Sequence, residues 1–435
     1  MIMKKKIVFA LSLLLMFSTW GKAQQKQSFD LEGAKKQAIQ YNRMLKNSAM
    51  AIDKAQYQLK EAISGGLPQI SSKLDYTNAL GAKLTIRFDP NAPATEIPIK
   101  PSSQFNLQVG QLLFNGSYFV GLELAKLGKT LTEKNYEKTE QDVLAQVTGS
   151  YYLVLVSGEL LNLMNKNTDN LKEVYRKTEA MVNVGMLEKT DLDQLSVQIA
   201  ALENAVSNSG RQLEMARNMF RLQLGMDPNQ DFELSGSLEQ VMGMVKGTLT
   251  NPGIFDISAN KDYQLIELQE QMSQKQVKMQ NAAYLPTLTG FYSRTEKIIK
   301  PNFDMSPKDM VGANLSIPIF SGGQRKAKVD QAKIDLETMR NTRAFMSEQL
   351  QIQERQLQYN LKSANETWLN QVRNLEVAKS VYANLKRKFE QGMISGLELV
   401  SADNNYVKAQ TDYISSVFQV LQATVELDKI NGKLK

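Results

Sequence analysis

Residues 190–220 read TDLDQLSVQIAALENAVSNSGRQLEMARNMF, and residues 397–427 read LELVSADNNYVKAQTDYISSVFQVLQATVEL. In the first stretch the apolar or small residues fall at Leu192, Leu195, Ile199, Leu202, Val206, Ser209, Leu213, Ala216 and Phe220. In the second, 207 positions on, they fall at Leu399, Ala402, Tyr406, Ala409, Tyr413, Ser416, Val420, Ala423 and Leu427. Both strings step three, four, three, four. That is the spacing of a coiled-coil seam, so one long-helix unit is written twice.

The repeat extends outward on both sides. Gly185-Met186-Leu187 matches Gly392-Met393-Ile394, and Leu224-Gly225 matches Asn431-Gly432. Upstream, Leu113-Phe114-Asn115-Gly116 matches Ile319-Phe320-Ser321-Gly322, and Leu67-Pro68 matches Leu285-Pro286 at an offset of 218. The extra residues therefore lie in the first copy, between Leu-Pro and Phe-x-Gly. The division that follows is a leader at 1–23, a first repeat at 24–225, an irregular linker at 226–259 and a second repeat at 260–435.

Proline placement separates the element types, because a proline inside a helix costs about 3 kcal/mol or more. All eleven prolines fall within 68–101 and 228–318. In each proline-free run the pattern predicts a Phe-x-Gly turn and then one helix, 120–184 or 327–391, of about 100 Å at ~1.5 Å per residue. A tight turn at Gly185 or Gly392 follows, and a returning helix ends near Gly225 or Gly432. Leu361, Trp368, Leu375, Tyr382 and Phe389 recur every seventh residue on the second long helix, so these aromatics are read as seam packing and not as a ligand platform. Two further helices, 30–66 and 260–284, are each halted by their Leu-Pro.

Between Leu-Pro and Phe-x-Gly the period changes to two. Ile70, Ser72, Leu74 and Tyr76 alternate with Ser71, Lys73, Asp75 and Thr77; Phe105, Leu107 and Val109 alternate with polar neighbours; Val311 through Ile319 alternates likewise, and Leu285 to Thr295 less cleanly. Strands of about ten residues with one apolar face have the length and pattern of an outer-membrane barrel strand. The links at 78–103 and 296–309 are expected to be exposed loops.

Composition narrows the function. Lys4-Lys5-Lys6, the apolar run Ile7 to Phe17 and the small residues Gly21 and Ala23 read as a secretory signal peptide with cleavage after Ala23. Its loss removes four lysines and no acids, so the formal charge falls from +7 to +3, and a nucleic-acid partner is not expected. There is no Cys and no His, which excludes disulfides, a thiolate nucleophile, the usual zinc site and a Ser-His-Asp triad. No catalytic residue, cofactor or metal is expected. Four strands cannot close a barrel alone, and an open edge in lipid leaves backbone groups unsatisfied at several kcal/mol each. Oligomerisation is therefore expected, and three copies would supply twelve strands.

These landmarks resemble the outer-membrane efflux proteins, the TolC-like exit ducts of Gram-negative bacteria, in their order across essentially all of the mature chain. The resemblance implies a mainly α protein with a small transmembrane β part: tandem duplicated long-helix hairpins forming a periplasmic α-barrel, and four strands per chain contributing to a trimeric twelve-stranded β-barrel in outer-membrane lipid. It implies a passive duct of a tripartite efflux or type I secretion system, a homotrimer partnered by a periplasmic adaptor (membrane fusion) protein and an inner-membrane transporter. By position, Val184-Gly185-Met186 and Gln391-Gly392-Met393 are similar to the family's adaptor-docking tips. Thr190-Asp191, with Glu398 in the second copy, is similar to the acidic position that holds the periplasmic aperture closed, although no Arg or Tyr lies between Gly392 and Leu399. Each has a plainer reading: the glycines as helix C-caps, Ser395-x-x-Glu398 as a capping box, and Asp191 and Asp193 as first-turn acids favoured by the helix dipole. The alternative function is a periplasmic coiled-coil adaptor or structural protein.

Overall fold

The computed structural model describes residues 27–87, 93–250, 254–300 and 304–434. The leader at 1–23 lies outside the described residues. The protein is mainly helical with few strands, in the order β1 (Gln27–Phe29), α1 (Leu31–Tyr41), α2 (Arg43–Ser64), β2 (Gln69–Thr77), β3 (Lys83–Ile86), β4 (Thr95–Pro98), β5 (Ser102–Asn115), α3 (Gly116–Asn183), α4 (Lys189–Leu224), β6 (Phe232–Leu234), α5 (Leu238–Thr250), a 3-10 turn (Ile257–Ala259), α6 (Lys261–Ala282), β7 (Thr287–Lys297), β8 (Asp309–Ser316), α7 (Gln324–Glu390) and α8 (Gly396–Ile430). Residues divide into two units. One takes the described residues up to Asn47 with Lys138–Asn260 and the chain from Leu350 on; the other takes Ser48–Glu137 and Lys261–Gln349.

The first unit is built on the helix pairs. The seam residues face inward: Leu195, Phe220, Leu399 and Leu427 are fully buried, and Leu361 and Phe389 of the long helix are buried with them. One break was not anticipated. Residues 30–66 are two helices and not one, because Asn42 leaves the helical conformation at ψ 128°. Its Oδ1 accepts from the N–H of Met44 at 2.9 Å and of Leu45 at 3.3 Å, capping α2, while its Nδ2 donates to the Gln223 carbonyl at 2.8 Å. A buried side chain that satisfies several backbone groups outweighs the helical preference of one residue.

The same tie recurs in the second half. Asn260 Nδ2 donates to the Ile430 carbonyl at 3.0 Å. Gly225 and Gly432 close α4 and α8 at φ of 66° and 67°, and a Cβ on either would run into the carbonyl of Tyr41 or Ala259 respectively. Asparagine and glycine at these ends are thus required by a close backbone approach.

Within 226–259, expected to be irregular, the described residues at 232–234, 238–250 and 257–259 form regular elements. β6 pairs in parallel with β1, and Phe232 packs against Phe220 with ring centroids 5.1 Å apart and the rings tilted by 52°. Arg217 and Arg221 lie over the Phe232 ring and donate to the carbonyls of Phe232 and Gln230, each at 2.9 Å. α5 begins with a reciprocal cap: Gln240 N–H donates to Ser237 Oγ at 3.2 Å, and Ser237 N–H to Gln240 Oε1 at 3.0 Å. Val241, Met242 and Val245 bury its inner face. The aromatic and arginine anchors supply the contacts that periodicity alone did not reveal.

The second unit carries a four-stranded antiparallel sheet in the order β2-β5-β7-β8. Its register sets Ile70 opposite Val109, Val109 opposite Tyr292 and Tyr292 opposite Val311, while Leu74 faces Phe105. Cross-strand partners share a face, so these residues form one apolar band, and Ile70 and Val311 are 71% and 85% exposed. The opposite face carries Lys73, Asn106, Gln108, Ser293 and Asn314. Among the described residues β2 and β8 are paired on one side only.

Two expectations are corrected here. β8 stops at Ser316 and does not reach Ile319, since Pro318 has no N–H to donate to a ladder. The link at 78–103 is not only loop: β3 and β4 pair antiparallel from Lys83–Pro98 to Ile86–Thr95, with a Lys83–Glu96 ion pair at 2.6 Å. Both Leu-Pro stops follow one pattern, in which the leucine N–H closes a turn on Ser64 at 3.0 Å or on Ala282 at 3.1 Å.

The two strand-to-helix passages differ. β5 runs into α3 with no residue between them, Asn115 Oδ1 capping the N–H of Tyr118 at 2.9 Å, and Gly116 lies so close to α6 that a Cβ there would be 2.6 Å from Leu285. Between β8 and α7 the chain instead turns through Gly322 and Gly323 at φ of 59° and 83°.

Candidate functional site

The turns joining α3 to α4 and α7 to α8 lie in the first unit. Both are built alike. Gly185 N–H donates to the Val182 carbonyl at 3.0 Å and Met186 N–H to Met181 at 2.9 Å; Gly392 N–H donates to Phe389 at 2.9 Å and Met393 N–H to Lys388 at 2.9 Å. This is the Schellman pairing, and it needs a left-handed residue at its corner, met by φ of 77° at Gly185 and 70° at Gly392. The C-cap reading of both glycines therefore holds. A Cβ would meet nothing within 4 Å at either, so the restriction lies in the backbone and not in the surroundings.

Beneath the turns is a core that includes Leu171, Leu195, Tyr382, Phe389 and Leu399, with Leu187 and Ile394 packed against it. Above it the corner side chains face out: Val184 is 71%, Met186 69% and Met393 68% exposed. Gly185, Gln391 and Gly392 are exposed as well. Beside the corners lies a groove of about 550 Å3 lined by Lys177, Ala180, Met181, Val184, Phe389 and Glu390. Lys177 reaches across it to Glu390 at 3.2 Å and back to Glu173 at 3.0 Å. Its hydrogen bonds to Glu173 and Glu390 raise the Lys177 pKa, and the bond from Lys177 lowers that of Glu173. Such exposed pairs contribute little stability. They do fix where charge stands at the rim.

Of the acidic candidates, Asp191 reaches the second turn. Asp191 in the first turn of α4 lies against Gly396 at the start of α8, where an added Cβ would be 3.9 Å from the Asp191 Cβ. Thr190 Oγ1 donates to Glu188 Oε2 at 3.1 Å. Ser395 Oγ accepts the N–H of Glu398 at 3.3 Å, which supplies the serine side of the cap anticipated there. Neither Asp191 nor Glu398 has a cationic partner among the described residues. Nor does any group of three or more acidic residues there lie where it could hold a metal ion.

One group escaped the sequence reading. Asp403, a residue beyond the seam position Ala402, is only 3% exposed and keeps Oδ2 without a hydrogen-bond partner. Tyr382 and Tyr406 stack beside it with ring centroids 5.4 Å apart. A charged residue next to a seam position, on a helix whose neighbours Val400 and Val407 are apolar, is the signal that could have found it.

The sequence profile of outer membrane efflux proteins matches residues 35–226 and 257–433. Outer membrane protein TolC of Salmonella enteritidis is 25% identical over 338 residues, covering 74% of this chain and 65% of that protein. The chain thus spans just under two thirds of that relative's length. Outer membrane efflux protein BepC of Brucella suis is 21% identical, covering 99% of this chain and 91% of that one. Among solved structures, the Campylobacter jejuni CmeC outer membrane channel superimposes with a TM-score of 0.72 at 16% identity, covering 95% of this chain and 90% of that one, which is a likeness of fold.

Proposed function

The chain belongs to the outer membrane efflux protein family, whose place is the cell outer membrane, and on that premise we propose that it is the exit duct of a tripartite efflux or type I secretion system. The observation that carries this reading is the four-stranded sheet with an exposed apolar band and with β2 and β8 each paired on one side. In lipid such edges need partners, at several kcal/mol for each unsatisfied backbone group. β2 of one copy and β8 of the next supply them, so three chains close twelve strands into one barrel. The long helix pairs of the three chains then line a periplasmic tube. The two halves, 24–225 and 260–435, are two copies of one unit joined through 226–259.

The duct is passive. Energy comes from an inner-membrane transporter reached through a periplasmic adaptor, and the surface offered to that adaptor is the pair of turns at Val184-Gly185-Met186 and Gln391-Gly392-Met393. Their exposed methionines and valine beside a groove closed by Lys177 and Glu390 support a docking role, since adaptable apolar side chains rimmed by charge suit a helical partner. Thr190, Asp191 and Glu398, just past those turns, are the candidates for holding the periplasmic aperture closed.

Mass photometry of the detergent-extracted protein tests the assembly: a mass of three chains is expected, and a stable monomer overturns the duct. Gly185→Trp or Gly392→Trp should abolish export while leaving that mass unchanged; normal export in both refutes docking at the turns. Asp191→Ala should raise single-channel conductance in planar bilayers, and an unchanged value reduces Asp191 to a helix-dipole role.

A further inference from the structure

Asp403 is buried among apolar side chains at a depth where an ionised carboxylate is costly unless it is fully paired. Its pairing is incomplete. The Tyr382 hydroxyl from α7 donates to the carboxyl, and Oδ2 is left with no partner. Every other group packed around it can be named. α7 also brings Lys386; α8 itself brings Tyr406; α3 brings Glu173, which acts on Tyr382. From α4 the core receives Leu195, Ile199 and Leu202, none of them titratable. The nearest cation, Lys386, thus acts at a distance without a salt bridge to Asp403. Among the described residues no group donates a proton to Oδ2.

We propose that Asp403 is a proton-operated clasp: with a proton bound it holds α7 and α8 tightly packed below the second turn, and ionised it loosens them. Protonation removes the charge of the buried carboxylate, whose second oxygen meets no donor among the described residues. Burial pushes the Asp403 pKa up to about 6, against opposing pulls from the Tyr382 hydrogen bond and Lys386. A hairpin splayed into water would return the group toward 3.8, its ordinary value. The closed packing therefore binds the proton more tightly than the open one, so acidification through the window from about 6 down to 3.8 favours closure. Above that window the full penalty of the buried charge is present. The two limits lie about two pH units apart, which allows the closing equilibrium to move by up to roughly a hundredfold. That this tightening narrows the aperture rests on the duct reading; the clasp itself does not.

The test is hydrogen–deuterium exchange on the full-length protein in lipid nanodiscs from ~pH 5 to ~pH 8, corrected for intrinsic exchange, following peptides across residues 378–406. These should be more protected in acid, with a midpoint about 6. Asp403→Asn, which mimics the neutral carboxyl, should be protected throughout and show no midpoint. Tyr382→Phe removes a bond that favours the charged form, so it should move the midpoint up. A wild-type protein with flat protection, or Asp403→Asn or Tyr382→Phe with the wild-type midpoint, overturns the clasp. Planar-bilayer conductance over the same range separates the two ideas. Absence of any pore refutes the duct while the exchange result stands, whereas pores whose conductance ignores pH refute control of the aperture by Asp403.

Discussion

The returning helices α4 and α8 share a seam but not a second face. Both bury seam residues: Leu195, Leu202, Ser209, Ala216 and Phe220 in α4, and Leu399, Ala402, Ala409, Ser416, Val420, Ala423 and Leu427 in α8. α8 also buries Val400, Asp403, Ile414, Val417 and Leu421, where the equivalent positions of α4, 207 residues earlier, are Asp193, Ser196, Ser207, Gly210 and Glu214. One face was kept and the other rewritten from polar to apolar. The short helices that cover them differ: α5 packs against α8 and α1 against α4. A duplicated hairpin thus acquires an inner and an outer member without changing its seam, and the buried acid arises on the member with two dry faces.

Mutations at matched positions can break this comparison. The largest effect is expected at Phe389, fully buried under the second turn, where replacement by Ala should cost about 3–5 kcal/mol, whereas Val182→Ala at the matching position should cost far less. Equal shifts in thermal unfolding of the purified protein would mean that the two turns are packed alike. Next come Gly225→Ala and Gly432→Ala, which combine a positive φ with a collision against a carbonyl and should each cost about 2 kcal/mol, against about 1 kcal/mol for Gly185→Ala in open space. If Gly185→Ala proves as damaging as the other two, the close backbone approach is not the cause.

Asn42→Ala and Asn260→Ala sharpen the equivalence of the halves. Each removes a bond to the end of a returning helix and should cost about 1–2 kcal/mol, and the two should agree. A clear inequality would show that the caps Asn42 also provides to α2 dominate. The smallest effect is at Ser237→Ala, about 1 kcal/mol, detectable as faster amide exchange confined to the start of α5.

Much of the fold was legible because its signals are periodic. The seam, the proline-free runs and the two-residue alternation each sum over many positions, so the long helices and four main strands fall within a few residues of expectation. What was missed depends on single side chains meeting distant backbone. Asn42 reads as an ordinary helical residue until Gln223 is opposite it. Ser237-x-x-Gln240 is a capping signature that announces α5 within the stretch expected to be irregular. The β3–β4 pair is too short to stand out among prolines. At the candidate site, the turn glycines and their Schellman geometry were readable, and Asp191 beside Gly396 was not, since nothing in either repeat alone says that the first turn of one leans on the start of the other.

The unlike junctions above α3 and α7 imply unlike mechanical coupling. Where β5 becomes α3 without a spacer, a roll of the helix about its own axis is transmitted straight to the strand, whose ladder resists it. Between β8 and α7, the stretch from Ile317 to Gly323 with its two left-handed glycines acts as a swivel that absorbs such a roll. Of the two long helices, only α3 is joined to its strand without such a spacer.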